Sequence, residues 1–261
     1  MKTLSFILAL AAPGVMASPL PTEQGTPTAL STVPTSTPKA EAYIWNEGWH
    51  AEIPIHSSCN STLRAQLRSA LDDAVKLAQH ARDHLLRFGS KSEFVQRYFG
   101  NATLTEAIGL YDHIIAGDKG AMTFRCDDPD GVCASKPTWA GHHRGKNGTE
   151  ETVICPLSFE LRRPLSSVCN LGYTVAGSPS KLIWGTDILH RLLHVPTISG
   201  NVVDHYAEDG YTGVLDLAKQ DPSKSTKDSN ALQYFAIDVW AYDIAAPGVG
   251  CTGKPVTETK A

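Results

Sequence analysis

The chain has 261 residues, with 23 lysines and arginines against 27 aspartates and glutamates and a formal net charge of −4. That balance supplies no basic field for nucleic acid or anionic lipid, so neither is an expected partner. Lys2 is followed by an apolar stretch from Leu4 to Ala12 and by small residues ending at Ala17. This pattern is that of a secretory signal peptide cut after Ala17. The stretch is shorter than the roughly 20 apolar residues that span a bilayer, and no later segment reaches that length, so no membrane span is expected.

Residues 18–40 are rich in Pro, Thr and Ser and nearly free of large apolar side chains. Such a segment buries too little surface to offset the entropy of ordering, and it reads as a flexible arm. Residues 41–251 have the composition of one domain, and 252–261 read as a disordered tail. Six cysteines remain after the cut: Cys59, Cys126, Cys133, Cys155, Cys169 and Cys251. An even number in an exported chain implies disulfides, and the turn-rich Asp127–Gly131 segment favours a local bridge between Cys126 and Cys133. Sequons at Asn60, Asn101 and Asn147 fit a secreted, extracellular glycoprotein and place those residues near solvent.

Helical periodicity is strongest from Ser61 to Phe88, where Leu63, Leu67, Leu71, Val75, Ala78, Ala81 and Leu85 recur and Gly89 supplies a stop. Further helices are predicted over 91–99, 182–195, 214–219 and 229–245. Ala107 to Ile115 fits helix or strand, and 122–126 and 152–155 have the β-branched and aromatic content of short strands. The fold class is therefore α+β, mainly helical, with a small sheet.

His190 and His194 stand four apart in an apolar periodic segment, which returns both imidazoles to one helix face. Two such nitrogens can share a zinc ion, which completes its tetrahedron from elsewhere in the chain. Asp204 and His205 follow His194 by ten and eleven residues. Neighbouring side chains diverge in extended structure, so one of the two is expected to coordinate and the other to support it. His80 and His84 also stand four apart, but Arg82, Asp83 and Arg87 around them suggest an exposed face. His142 and His143 read as part of a solvated loop.

These residues, together with Ala78-Gln79-His80-Ala81, Tyr98-Phe99-Gly100, Phe124-Arg125-Cys126-Asp127, Thr152-Val153-Ile154-Cys155, Gly172 to Gly177, Val203-Asp204-His205, Leu232 to Ala236 and Asp243 to Cys251, resemble the fungal HRxxH family. That family comprises pH-regulated antigens, a major mould allergen and zinc-scavenging zincophores. It is in turn similar to the deuterolysin-type, zincin-like aspzincin metallopeptidases, whose pattern is H-E-x-x-H followed by an Asp ligand. The resemblance implies Zn²⁺ held by His190, His194 and Asp204, with His205 as a further donor or support. It also implies capture of extracellular zinc, return of that zinc to a cell-surface transporter, and binding of host proteins.

The departure is Arg191, which occupies the position of the peptidases' general base. An arginine cannot accept a proton, and a positioned base contributes typically 10² to 10⁴-fold. Catalysis by the usual route is therefore not expected. A deuterolysin-type endopeptidase rescued by Glu208 or Asp187 is the alternative, and an adhesion or immune-evasion protein with a structural zinc is another.

Overall fold

In the computed structural model, which describes residues 42–208 and 210–255, the 28-residue helix α1 (Ser61–Phe88) is the longest element and packs against three other helices. Asn60 caps its first turn, with Oδ1 accepting from the Leu63 amide at 2.9 Å. Gly89 ends it at φ +53, a conformation that costs a glycine nothing. Between these stops Leu67, Leu71, Ala74, Leu77, Ala78, Ala81 and Leu85 are buried on one stripe, the signature of a helix lying against a core.

The remaining helices are α2 (Glu93–Phe99), α3 (Thr105–Ala116), α4 (Val132–Ser135), α5 (Pro156–Leu161), α6 (Trp184–Leu192), α7 (Pro196–Ser199), α8 (Tyr211–Gln220), α9 (Pro222–Ser225) and α10 (Ser229–Trp240). The buried stripe of α1 meets α3, α6 and α10. Helix α10 is buried on every side from Ser229 to Val239, and Phe235 at its middle touches the rings of His84, Tyr98, Phe99 and Tyr111. A five-residue π-helical turn, Ala241–Ala245, continues it. Helix α2 ends against α8 at Gly100, where an added Cβ would lie 2.6 Å from the Ala218 carbonyl oxygen.

The sheet has three short strands in the order β1–β3–β2. Strand β1 (Thr123–Arg125) runs parallel to β3 (Glu151–Ile154), and β2 (Gly141–His143) pairs with β3 antiparallel. The ambiguous segment over 107–115 is helical, within α3, with Ala107, Leu110, Tyr111 and Ile114 on its buried face. Strand β2 stands where a solvated loop was expected. His142 is buried and 4.0 Å from Asp128, and His143 Nε2 lies 2.7 Å from the Thr149 carbonyl oxygen.

The cysteines pair as Cys59–Cys126, Cys133–Cys155 and Cys169–Cys251, which corrects the expected Cys126–Cys133 bridge. The acidic turn does not close on itself. Asp128 Oδ2 instead accepts from the Ala134 amide, starting α4 and carrying Cys133 to Cys155 just past β3, while Cys126 turns to Cys59. The three sequon asparagines are all exposed. The chain beyond α10 is held as far as Thr252, whose carbonyl accepts from the Ala176 amide and whose hydroxyl donates to Asp238. The signal peptide, the Pro/Thr/Ser-rich arm and positions 256–261 lie outside the described residues. Among the described residues no helix is long and apolar enough to cross a membrane.

Candidate metal centre

Helix α6 begins at Trp184 after the extended Ile183 and is buried over most of its length. Its last turn carries His190, and His194 follows one turn later. Their Nε2 atoms lie 3.1 Å apart, close to the roughly 3.3 Å edge of a tetrahedron whose donors stand 2.0 to 2.1 Å from zinc. The third member of the cluster is His205, with its ring centroid 5.1 Å from that of His190 and 4.7 Å from that of His194. One nitrogen from each of the three histidines falls within 4.8 Å of the other two.

The Asp204 carboxylate stands outside this three-histidine group while still acting electrostatically on His194, and part of it is engaged within the loop. The backbone of Asp204 bridges to Asp228, its amide donates to the Lys227 carbonyl, and its Oδ1 accepts from the His205 amide. The adjacent side chain therefore faces the histidine pair. His205 Nδ1 lies 3.2 Å from Ser229 Oγ, the first residue of α10, which leaves its Nε2 to face the cluster. Such a contact on the far nitrogen fixes a ligating ring in place.

The residue that organises this loop, Asp228, gave no signal in the sequence beyond being a capping type ahead of an apolar run. Its fully buried carboxylate accepts from the Tyr206 and Ala207 amides through Oδ2 and from Ala231 at the start of α10 through Oδ1. One carboxylate thus caps α10 and pins the segment that presents His205. Asp228→Ala is expected to lower stability by about 1–2 kcal/mol, the range for losing such a cap. It is also expected to weaken zinc binding by about 10 to 100-fold, as for other residues that orient a ligand. Chemical denaturation and a chelator-competition titration would check the two effects separately.

Burial lowers the proton affinity of both helix histidines. His190 is driven well below the usual histidine range, first by desolvation and then by His194 and His205. His194 falls to about 4 through desolvation, with His205 and His143 adding to it. Both rings are neutral at pH 7 and present lone pairs, the form a metal ion requires. The donor set, its spacing and its protonation state fit a zinc ion.

Arg191 turns away from this cluster. Its Nε donates to Asp187 Oδ2 at 3.2 Å and its NH2 group stands 3.2 Å from Asp187 Oδ1. Arg162 donates to the same carboxylate from another side. The guanidinium lies against β2 at Gly141, where an added Cβ would come within 3.0 Å of it. Asp187 is thereby sequestered between two arginines, and neither it nor Glu208 belongs to the histidine cluster.

The family model for HRXXH, described as a putative peptidase family, matches residues 5–254. The chain belongs to the HRXXH family. It is similar to the major allergen Asp f 2 of Aspergillus fumigatus, at 49% identity over 96% of this chain and 78% of that one. It is 45% identical to the pH-regulated antigen PRA1 of Candida albicans over 84% of this chain and 73% of the relative. Protein ZPS1 of Saccharomyces cerevisiae is 36% identical over 79% and 83%. A solved zinc peptidase from Grifola frondosa aligns with 69% of this chain and 97% of its own at 16% identity and a TM-score of 0.49. In this HRXXH chain the pattern that names the family is His190-Arg191-Leu192-Leu193-His194.

Proposed function

We propose that this chain is a secreted zinc-capturing protein whose ion is held by His190, His194 and His205. The observation that carries the proposal is the convergence of three histidines from the end of α6 and the loop between α7 and α8, their nitrogens within 4.8 Å of one another, with no proton acceptor at position 191. Three imidazoles give a cation strong donors while leaving a coordination position open. An open position suits an ion that must be taken up and given away.

Hydrolysis is the poorer reading of the same geometry. The side chain next to His190 is a fixed cation paired to Asp187, so it neither activates water nor welcomes positive charge beside a metal. The likeness to antigens and allergens supports an extracellular setting, as do three disulfides, which persist in oxidising compartments. Return of the ion to a cell-surface transporter is the step that would make capture useful to the cell.

Purified protein is expected to bind zinc tightly in competition with a chromophoric chelator. His190→Ala combined with His194→Ala should remove one equivalent, and undiminished stoichiometry in that folded double variant would sink the proposal. Induction of the protein by zinc starvation, with a growth defect on deletion that added zinc repairs, would link binding to acquisition.

A further inference from the structure

We infer that the chain carries a second site for a zinc-type divalent cation, built from His80, His84 and Asp243 at the far end of α10. The two histidines lie one turn apart on α1. Asp243 comes from 159 residues beyond His84 and reaches both: its Oδ2 is 2.9 Å from His80 Nε2 and 2.9 Å from His84 Nδ1. Two nitrogens and one carboxylate oxygen therefore face a single point, which is a donor set that zinc accepts.

Three features distinguish this cluster from an incidental ion pair. The first is the backbone that delivers Asp243. It sits in the π-helical turn Ala241–Ala245, where the Ala246 amide reaches back five residues to the Ala241 carbonyl. Turns of this kind are rare and concentrate at functional sites, because the extra residue re-aims the side chains that follow. Here the re-aimed side chain is the one that completes the cluster.

The second feature is support from behind. His84 Nε2, the nitrogen facing away from Asp243, lies 2.8 Å from Ser92 Oγ, and the ring is wedged among Phe88, Phe94 and Phe235. His80 is held edge-on by Trp240. A ligating imidazole is normally fixed in this way through its distal nitrogen and its packing.

The third is access. The His84 side chain is 5% exposed, but those of His80 and Asp243 are 21% and 25% exposed. An ion can enter from that side and fill its remaining positions with water, while the buried histidine anchors it. Two imidazoles and one carboxylate also give the site an oxygen donor, unlike the all-histidine cluster at His190. The sequence reading of an exposed histidine face fails here because the neighbours that bury His84 and complete the cluster come from α2, α10 and the turn that follows it.

Zinc alone is the probe. The full chain is expected to bind two equivalents; His190→Ala with His194→Ala should leave one, and His80→Ala with Asp243→Asn should also leave one. The fourfold variant should bind none. In the His190/His194 double variant, zinc should still raise the melting temperature, and adding His80→Ala with Asp243→Asn should abolish that rise. Circular dichroism establishes that each variant is folded; if the His80/Asp243 pair does not fold, His80→Ala alone should weaken the remaining equivalent at least ten-fold. The inference is overturned if the His190/His194 double variant binds no zinc. It is equally overturned if the folded His80/Asp243 variant keeps the stoichiometry of the parent and differs only in melting temperature, as a hydrogen-bonded tie between α1 and the π-turn would. Unchanged stoichiometry in the His190/His194 variant would instead count against the first site alone.

Discussion

Arg191→Glu is expected to bring chelator-sensitive cleavage of an unfolded protein substrate to a level about 10²-fold or more above the parent chain. The expectation rests on two local facts. A general base placed within reach of the reacting water contributes typically 10² to 10⁴-fold, and position 191 is one residue beyond His190 in the last turn of α6. The replacement also reverses the local electrostatics. Arg191 is drawn back four residues to Asp187; a glutamate would be repelled by that buried carboxylate, which Arg162 would continue to neutralise. The new side chain is thereby directed toward the cation rather than away from it. His190→Ala in the same background should remove the activity. Cleavage by the parent chain equal to that of Arg191→Glu would show that the arginine does not disable the site, and would restore the endopeptidase reading.

The largest expected loss of stability comes from opening Cys169–Cys251, which closes 82 residues of chain. In the loop-entropy treatment a crosslink of that span stabilises the fold by roughly 4.5 kcal/mol relative to an open unfolded chain. Replacing both cysteines by serine should lower the denaturation midpoint accordingly. Cys133–Cys155 spans only 22 residues, and the same treatment gives it roughly 3 kcal/mol. The ranking of the two double variants, not merely the presence of an effect, is the measurement to make. The Cys169–Cys251 bridge also fixes the start of the strap in which Val175 and Ala176 donate to the Cys251 and Thr252 carbonyls, so native-state hydrogen exchange should rise there first.

The parts of this fold that were legible in the sequence are those set by local periodicity. The stripe of α1 and the capped, apolar run of α10 could be read because one helix face, or all of it, must be apolar to be buried. Strand β2 could not: Gly141-His142-His143 has no strand composition, and pairing with β3 alone makes it one. At the candidate metal centre spacing narrowed the third donor to Asp204 or His205, and the family resemblance then favoured Asp204 with His205 as a further donor or support. What brings His205 beside the histidine pair is the loop that Asp228 holds, through hydrogen bonds that no spacing rule reveals. The carboxylate beside His84 was equally hidden, because it enters through a chain reversal spanning most of the domain. The misjudged disulfide has the same origin, since proximity along the chain is a poor guide once a turn leads into a helix.

Helix α10 has a polarity that bears on both clusters. It is 12 residues long, so its ends are about 18 Å apart at 1.5 Å per residue, too far for one ion to be shared. Aligned peptide dipoles leave its N-terminal end partially positive and its C-terminal end partially negative. His205 leans on the positive end through Ser229, whereas Asp243 lies in the π-helical turn that continues the negative one. The first cluster recovers an attractive pole from α6, whose C-terminal turn carries His190. A cation at the His190 cluster therefore feels two opposed helix ends, whereas one beside Asp243 lies near the C-terminal ends of both α1 and α10, which are favourable. On that ground alone the two positions should differ in how readily they release what they hold, with the histidine-only cluster the quicker to let go.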